Sequence, residues 1–416
     1  MSLARRLKEQ NRYLITNSHV IFLQFILLVY PVIVHNIWSK SGFLSCSTSN
    51  PLLGVGMIDF AGSGVVHVTG GFTALIATML LGPRKGRFYS DRGVKLERPK
   101  VISGHSKSLQ VRKTICLRLS HMTDPFSNSS IIPCQYIPQI LTNYYSLQML
   151  GSFILWFGWY GFNAGSAIEV DAPLRPIVIA RAVVNTTLSG ACSGIVALLL
   201  NLFLSVMQTG DPTYKISSAM NGCLAGLAAI TGSCGIIEPW SAIVIGIVSG
   251  ILYLYACHLL DKFCIDDAVD AIPVHLVGGS WGVIATGLFA SPRGLRQFYG
   301  HMPEHVGLFY SWGQGSSDFA LIACQIAGLL FIIGWILSIM TPFFFVLNYM
   351  GIFRSEALEE IVGLDVSYHG YSIARLDEEV TEADLDEYYR RNRRYQRAAA
   401  DEHEDEVDVA NVDQFE

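Results

Sequence analysis

The sequence predicts an all-α, polytopic membrane protein organised as an inverted repeat. Three observations carry that prediction. Of 416 residues, 51% are apolar and only 15% charged, a balance far from that of soluble domains. Uncharged stretches recur that reach the roughly 20 residues needed to cross a bilayer. Two of them share a residue pattern although they are threaded in opposite directions. The net charge of −5 excludes a strongly basic nucleic-acid binder, and no P-loop or dinucleotide glycine motif sits between a strand and a helix. No cofactor is implied, and no nucleophile or metal cluster suggests an enzyme. The nine cysteines are scattered, mostly within apolar runs, and read as packing residues, not as a disulfide frame or zinc site.

Eight helical segments can be marked in order: 13–38, 59–82, 149–168, 177–206, 216–233, 239–262, 267–290 and 317–350. Arg5, Arg6, Lys8 and Arg12 precede the first, and no cleavable signal stands ahead of it. Residues 1–12 are thus a basic stub before a membrane domain, 13–353. Arg84, Lys85, Arg87, Arg92, Lys95, Arg98 and Lys100 follow the second segment, whereas the stretch between the first two holds one charge. By the positive-inside rule the N-terminus, the loop after the second segment and the C-terminal tail, 354–416, lie in the cytosol. The second segment then runs inward and the seventh outward.

Those two segments are the repeat. "DFAGSGVVHVTGGFTALIATMLLG" and "DAVDAIPVHLVGGSWGVIATGLFA" align Asp59 with Asp267, His67 with His275, Gly70-Gly71 with Gly278-Gly279, and Ile76-Ala77-Thr78 with Ile284-Ala285-Thr286. Opposed direction with shared pattern is the symmetry of an inverted-repeat transporter. Each histidine stands eight residues below its aspartate, roughly 12 Å at helical rise. Starting from opposite faces of a core about 30 Å thick, both reach the middle, and the glycine pairs let the two backbones approach. An ionisable group at that depth is a functional hypothesis by default. The bland alternative is a satisfied packing histidine, which two matching positions make harder to sustain. Two imidazoles alone fall short of a zinc site. Asp59 and Asp267 each begin a helix, where a carboxylate caps free N–H groups and suits the dipole; direct substrate contact is the other reading.

Four motifs carry a family resemblance: "DFAGSGVVH", "LWFGWYGFNAGS", "NGCLAGLAAITG" and "DDAVDAIPVHLVGG", with "YPVIVHNIW" ahead of them. Together they resemble the ammonium transporter (Amt/Mep/Rh) family in its plant-like eukaryotic branch, in order from about residue 2 to 371. The resemblance implies a homotrimer with one pore per subunit, in the plasma membrane, carrying ammonium or ammonia through the lipid bilayer. It implies pore histidines at His67 and His275, and an outer vestibule where Trp38 and Ser166 hold ammonium. Phe162 then forms a constriction below it, with Trp159 on the same helix face, since 159, 162 and 166 are spaced three and four apart. An aromatic interface belt is the alternative for these rings and suits Trp156 and Tyr160.

Two departures from the family are visible. The family has eleven spans, and this chain begins at what matches the loop after the third, so an incomplete gene model or truncated isoform is expected, with the pore wall open on one side. A stretch, 111–148, intervenes where relatives run straight on. Its first residue is Val, whose codons begin with GT, and its last is Gln, which CAG encodes; it reads as a translated retained intron, with a regulatory loop as the alternative. In the tail, "GLDVSYHGYS" resembles the plant-type segment in which a phosphorylated hydroxyl controls contact with a neighbouring subunit. Ser367 is the matching hydroxyl, which implies a kinase as partner. The expected function is an ammonium transporter or channel; a non-conducting ammonium receptor or regulatory subunit shares most of the same residues.

Overall fold

A computed structural model describes residues 25–89, 95–96, 136–167, 175–299 and 304–354. Residues 1–12, 111–135 and Ser367 fall outside that range. The described chain is helical, with two isolated bridges, Ser45 to Met57 and Tyr89 to Lys95, and no strand among the described residues. A π-helical turn, Phe25–Val29, leads into α1 (Tyr30–Trp38). Helix α2 starts as a π turn, Ser63–Val68, and continues as Thr69–Leu81. Then follow α3 (Tyr136–Gly165), α4 (Arg175–Thr209), α5 (Ile216–Ile230) and α6 (Pro239–Lys262). Helix α7 repeats the construction of α2, a π turn at Ile272–Val277 followed by Gly278–Phe289. Two short helices, α8 (Pro292–Tyr299) and α9 (Leu308–Gly313), precede α10 (Ala320–Tyr349).

Five of these are long and apolar enough to cross a membrane among the described residues: α2, α4, α6, α7 and α10. The protein is therefore a helical, polytopic membrane protein. Helices α1 and α5 are apolar but shorter. The sequence places the end of the fifth segment at 233, but α5 stops at Ile230. Its 15 residues cover only about 22 Å, and the chain continues as a fully buried irregular turn, Thr231–Ile237. Backbone at that depth must find partners inside the protein. It does: Phe60 and Ala61 donate to the carbonyls of Gly232 and Thr231 at 2.9 and 3.0 Å. The Asn185 amide donates to the carbonyls of Cys234 and Ile237 at 2.8 and 3.0 Å, and the Ser63 hydroxyl accepts from Gly232 N–H at 2.6 Å.

The third segment differs more. It is helical from Tyr136, not from 149, so part of the range set aside as an insert continues α3. Ile137, Ile140, Leu141, Tyr144 and Leu147 keep a helical spacing, and Pro138 sits in the first turn, where its missing N–H costs nothing.

The chain forms two compact units. The larger comprises 25–83 with 141–345. Its centre is the α4–α5–α6 bundle, where small residues allow close approach: Ser189 and Ser193 donate across to the carbonyls of Gly226 and Gly222 at 2.9 and 2.6 Å. Ile230, Ile236, Ile237, Ile245 and Leu295 fill the adjoining core. Among the described residues the other unit comprises 84–89, 95–96, 136–140 and 346–354; in it Leu96 N–H donates to the Phe88 carbonyl at 2.8 Å, and the Arg87 guanidinium lies 5.3 Å from the Phe88 ring centre.

Candidate functional site

Helices α2 and α7 lie against each other start to end: the π turn of α2 packs on Gly278–Phe289, and Thr69–Leu81 packs on the π turn of α7. Each π turn carries a histidine. Such turns widen a helix by one residue and recur at functional sites. The close approach is set by two glycines at matching repeat positions. A Cβ on Gly71 would lie 2.2 Å from Leu276 N, and one on Gly279 would lie 2.6 Å from the Ser63 carbonyl and 3.0 Å from His67 Cβ. Each helix thus presents a bare backbone to the other's histidine turn.

In that contact the two imidazoles meet. His67 Nδ1 and His275 Nδ1 are 3.2 Å apart, with ring centres 5.2 Å apart and planes inclined by 15°. Trp159 stacks on His67 at 5.2 Å and 22°, and Phe162 lies at 6.0 Å from His67 and 6.3 Å from Trp159. His67 is buried, His275 half-buried. His67 Nε2 is enclosed and has no hydrogen-bond partner, so a buried acceptor or donor faces this apolar and aromatic surrounding unmet.

The nitrogen contact constrains the protons. Two neutral imidazoles joined through Nδ1 must differ: one donates from Nδ1 and has a bare Nε2, the other accepts at Nδ1 and carries its proton on Nε2. The pair therefore offers one acceptor and one donor at its far edges; exchanging these roles takes a proton gained at the bare Nε2 and one lost from the other Nε2 together with the transfer between the Nδ1 atoms.

The starts of the two helices are built differently. Both oxygens of Asp59 accept two N–H groups each: Gly62 and Ser63 at 3.0 and 2.8 Å, Gly64 and Val65 at 2.9 Å each. One carboxylate thereby satisfies the four donors that a helix start leaves open. Asp267 accepts only Val269 N–H at 3.3 Å and Ile272 N–H at 2.6 Å. A further acid, Asp270, has a left-handed backbone, φ 56°, and is held by Asn221 and the Tyr253 hydroxyl at 2.8 Å each. No spacing rule singled it out, although it is the third acid of "DDAVDAIPVH".

Trp38 ends α1, 38% exposed as a residue, with its indole N–H donated to the Asp59 carbonyl at 2.7 Å. Its ring also borders Gly62, in the cap of α2. Ser166 donates its proton to the Phe162 carbonyl at 2.9 Å, which leaves its oxygen free to accept. Trp156 donates to the Tyr160 hydroxyl at 3.1 Å, and that hydroxyl meets Thr187 at 2.9 Å. Two residues that sequence reasoning passed over also shape the site. Thr231 accepts the Trp159 indole N–H at 3.0 Å. Gln325 takes Ile58 N–H on its oxygen and gives its amide protons to the carbonyls of Ile58 and Val283, at 2.8, 2.7 and 3.1 Å.

Residues 13–111 and 136–373 match the model of the Ammonium Transporter Family. The chain belongs to this family. Among its ammonium transporter relatives, ammonium transporter 1 member 2 of Oryza sativa subsp. japonica is 36% identical over 353 residues, 82% of this chain and 60% of the relative. Ammonium transporter 1 member 1 of Arabidopsis thaliana is 34% identical over 363 residues, 85% of this chain and 62% of the relative. The chain thus spans about 60% of the length of the relatives it matches. A solved structure described as a sensor Amt protein is similar at TM-score 0.57 and 26% identity, over 83% of this chain and 67% of that one. Mep2 of Saccharomyces cerevisiae shares the fold at TM-score 0.57, over 80% of this chain and 61% of that one. This ammonium transporter family member accordingly has the helical fold of Amt and Mep proteins.

Proposed function

We propose that the protein passes ammonia derived from ammonium through the passage lined by His67 and His275. The observation that carries this reading is the 3.2 Å imidazole pair with a buried, unpartnered Nε2. Ammonium held at the outer mouth meets the face of Trp38, a cation–π contact worth about 0.5–2 kcal/mol, and donates a hydrogen bond to the Ser166 oxygen. Carrying the charge on through an apolar passage costs far more than that contact returns. Ammonium therefore gives one proton to water at the mouth, and neutral ammonia moves past Phe162. Ammonia has three donors and one acceptor, and the pair has one bare Nε2 and one Nε2–H, so the molecule can donate to one ring and accept from the other. Trp159 closes the face of His67 and keeps water from taking that place. Potassium has no proton to shed and is excluded by the same step. Asp59 and Asp267 serve as caps that hold the two histidine helices, and the assembly we propose is a homotrimer in the plasma membrane with a cytosolic tail phosphorylated at Ser367.

Uptake in cells lacking their own ammonium transporters tests this. Growth at low ammonium with the wild-type chain, lost at unchanged membrane abundance in His67→Ala, supports transport. A second reading, an ammonium receptor that does not conduct, is favoured by the likeness to the sensor Amt protein. Ammonium binding at the mouth without any uptake would decide for it.

A further inference from the structure

We propose that Thr231 is a positioning residue that fixes the Trp159 ring beside His67 and thereby sets the size of molecule that can pass. The size argument rests on the transport reading above; the anchoring does not. Trp159 has one polar atom, and it is spent on Thr231 Oγ at 3.0 Å. The Thr231 hydroxyl gives its own proton to the Leu227 carbonyl at 2.7 Å. With that proton committed, the oxygen can only accept, so the chain from indole N–H through hydroxyl to carbonyl has a single polarity.

The same residue also holds the helix that carries His67. Its main-chain carbonyl accepts Ala61 N–H at 3.0 Å, in the segment between the Asp59 cap and Ser63. Ser63 in turn donates to the Ala228 carbonyl at 2.7 Å and accepts from Gly232 N–H at 2.6 Å. Thr231 is therefore the point at which the Trp159 side chain and the start of α2 are referenced to one another. Its α3 neighbour Phe162 is 40% exposed and meets the Trp159 ring edge-on, 6.3 Å between centres. Without the hydroxyl, the indole N–H has no acceptor and the ring is free to turn off His67, which widens the passage beside His67. A valine has nearly the shape of threonine and cannot accept; a serine can.

The test compares Thr231→Val and Thr231→Ser in the full chain, with ammonium and methylammonium as permeants. Loss of one hydrogen bond to a positioned ring predicts a rise of about fivefold in the methylammonium-to-ammonium uptake ratio in Thr231→Val, with the wild-type ratio restored in Thr231→Ser. Equal loss of both uptakes in both variants, with no change in ratio, overturns the proposal. A second measurement does not depend on transport. The emission attributable to Trp159, taken as the difference from Trp159→Phe in purified protein, shifts in Thr231→Val and stays in place in Thr231→Ser; an unshifted Thr231→Val overturns the anchoring. If the wild-type chain takes up neither permeant, the transport reading fails while the fluorescence still decides the role of Thr231.

Discussion

Replacing Gly71 with alanine probes the contact on which the histidine pair depends. The new Cβ would stand 2.2 Å from Leu276 N and 2.7 Å from Leu276 Cα. Both are backbone atoms, so no side chain can turn aside. Ordinary contact begins at 3.4 Å, so α2 and α7 must part locally by about 1.2 Å to remove the clash. Added to the 3.2 Å between the two Nδ1 atoms, that displacement gives about 4.4 Å, beyond any hydrogen bond. The overpacking itself costs about 1–3 kcal/mol. Gly70 is the internal control: its Cβ would meet nothing within 4 Å, and alanine there should stabilise the helix by about 0.5–1 kcal/mol. The assay is thermal unfolding in detergent together with ammonium uptake. Gly71→Ala should melt lower and lose uptake, whereas Gly70→Ala should melt at or above wild type and retain it. Indistinguishable behaviour of the two variants would refute the claim that backbone approach at Gly71 holds the rings together.

Asp59→Asn keeps the shape of the cap but offers one acceptor oxygen in place of two. Two of the four N–H groups held by Asp59 then face an amide, at a cost of about 3 kcal/mol or more, read as a lower melting temperature in detergent; an unchanged melt would show that the cap is dispensable. A pH effect is expected at the turn ahead of α10, where Asp318 Oδ2 meets His305 Nδ1 at 2.7 Å. Partial burial works against ionisation of Asp318, but the Ala320 N–H and His305 outweigh it and hold the carboxyl below the usual carboxylate range. A depressed folded-state value means that this stabilisation is fully present above the unfolded value of about 3.9 and is lost as pH falls through the folded one. Proteolysis of the 304–318 segment should therefore accelerate only in strong acid in the wild type, and Asp318→Asn should remove that dependence.

The sequence makes the parts of this protein that repeat legible, and hides those that bridge. His67 and His275 could be matched because a symmetric pattern surrounds each: an aspartate eight residues earlier and a glycine pair three residues later. Helix existence followed from long uncharged runs. The π turns did not, because Ser63–Val68 and Ile272–Val277 are apolar nearly all round apart from the histidine, so a change of register leaves no mark in the pattern. The early start of α3 was missed because 111–148 was set aside whole as an insert absent from relatives, although Ile137, Ile140, Leu141 and Tyr144 within it keep a helical spacing. Nor does the repeat predict the unequal caps: Asp59 takes four N–H groups, whereas Asp267 takes two and Asp270 is held instead by Asn221 and Tyr253.

Thr231 and Gln325 were illegible for a different reason. Gln325 reaches Ile58, 267 residues away, and Trp159 reaches Thr231, 72 residues away. Neither partner carries a local mark, because a buried hydroxyl or amide is explained only by what it satisfies. These bridges give the site its character. Asp59, Ser63, Thr231 and Trp159 all have their hydrogen bonds met around the start of α2, while the imidazole they enclose is left with Nε2 unmet. This contrast between a paired frame and an unmet Nε2 is what supports the proposed passage of ammonia, a molecule that can both donate and accept.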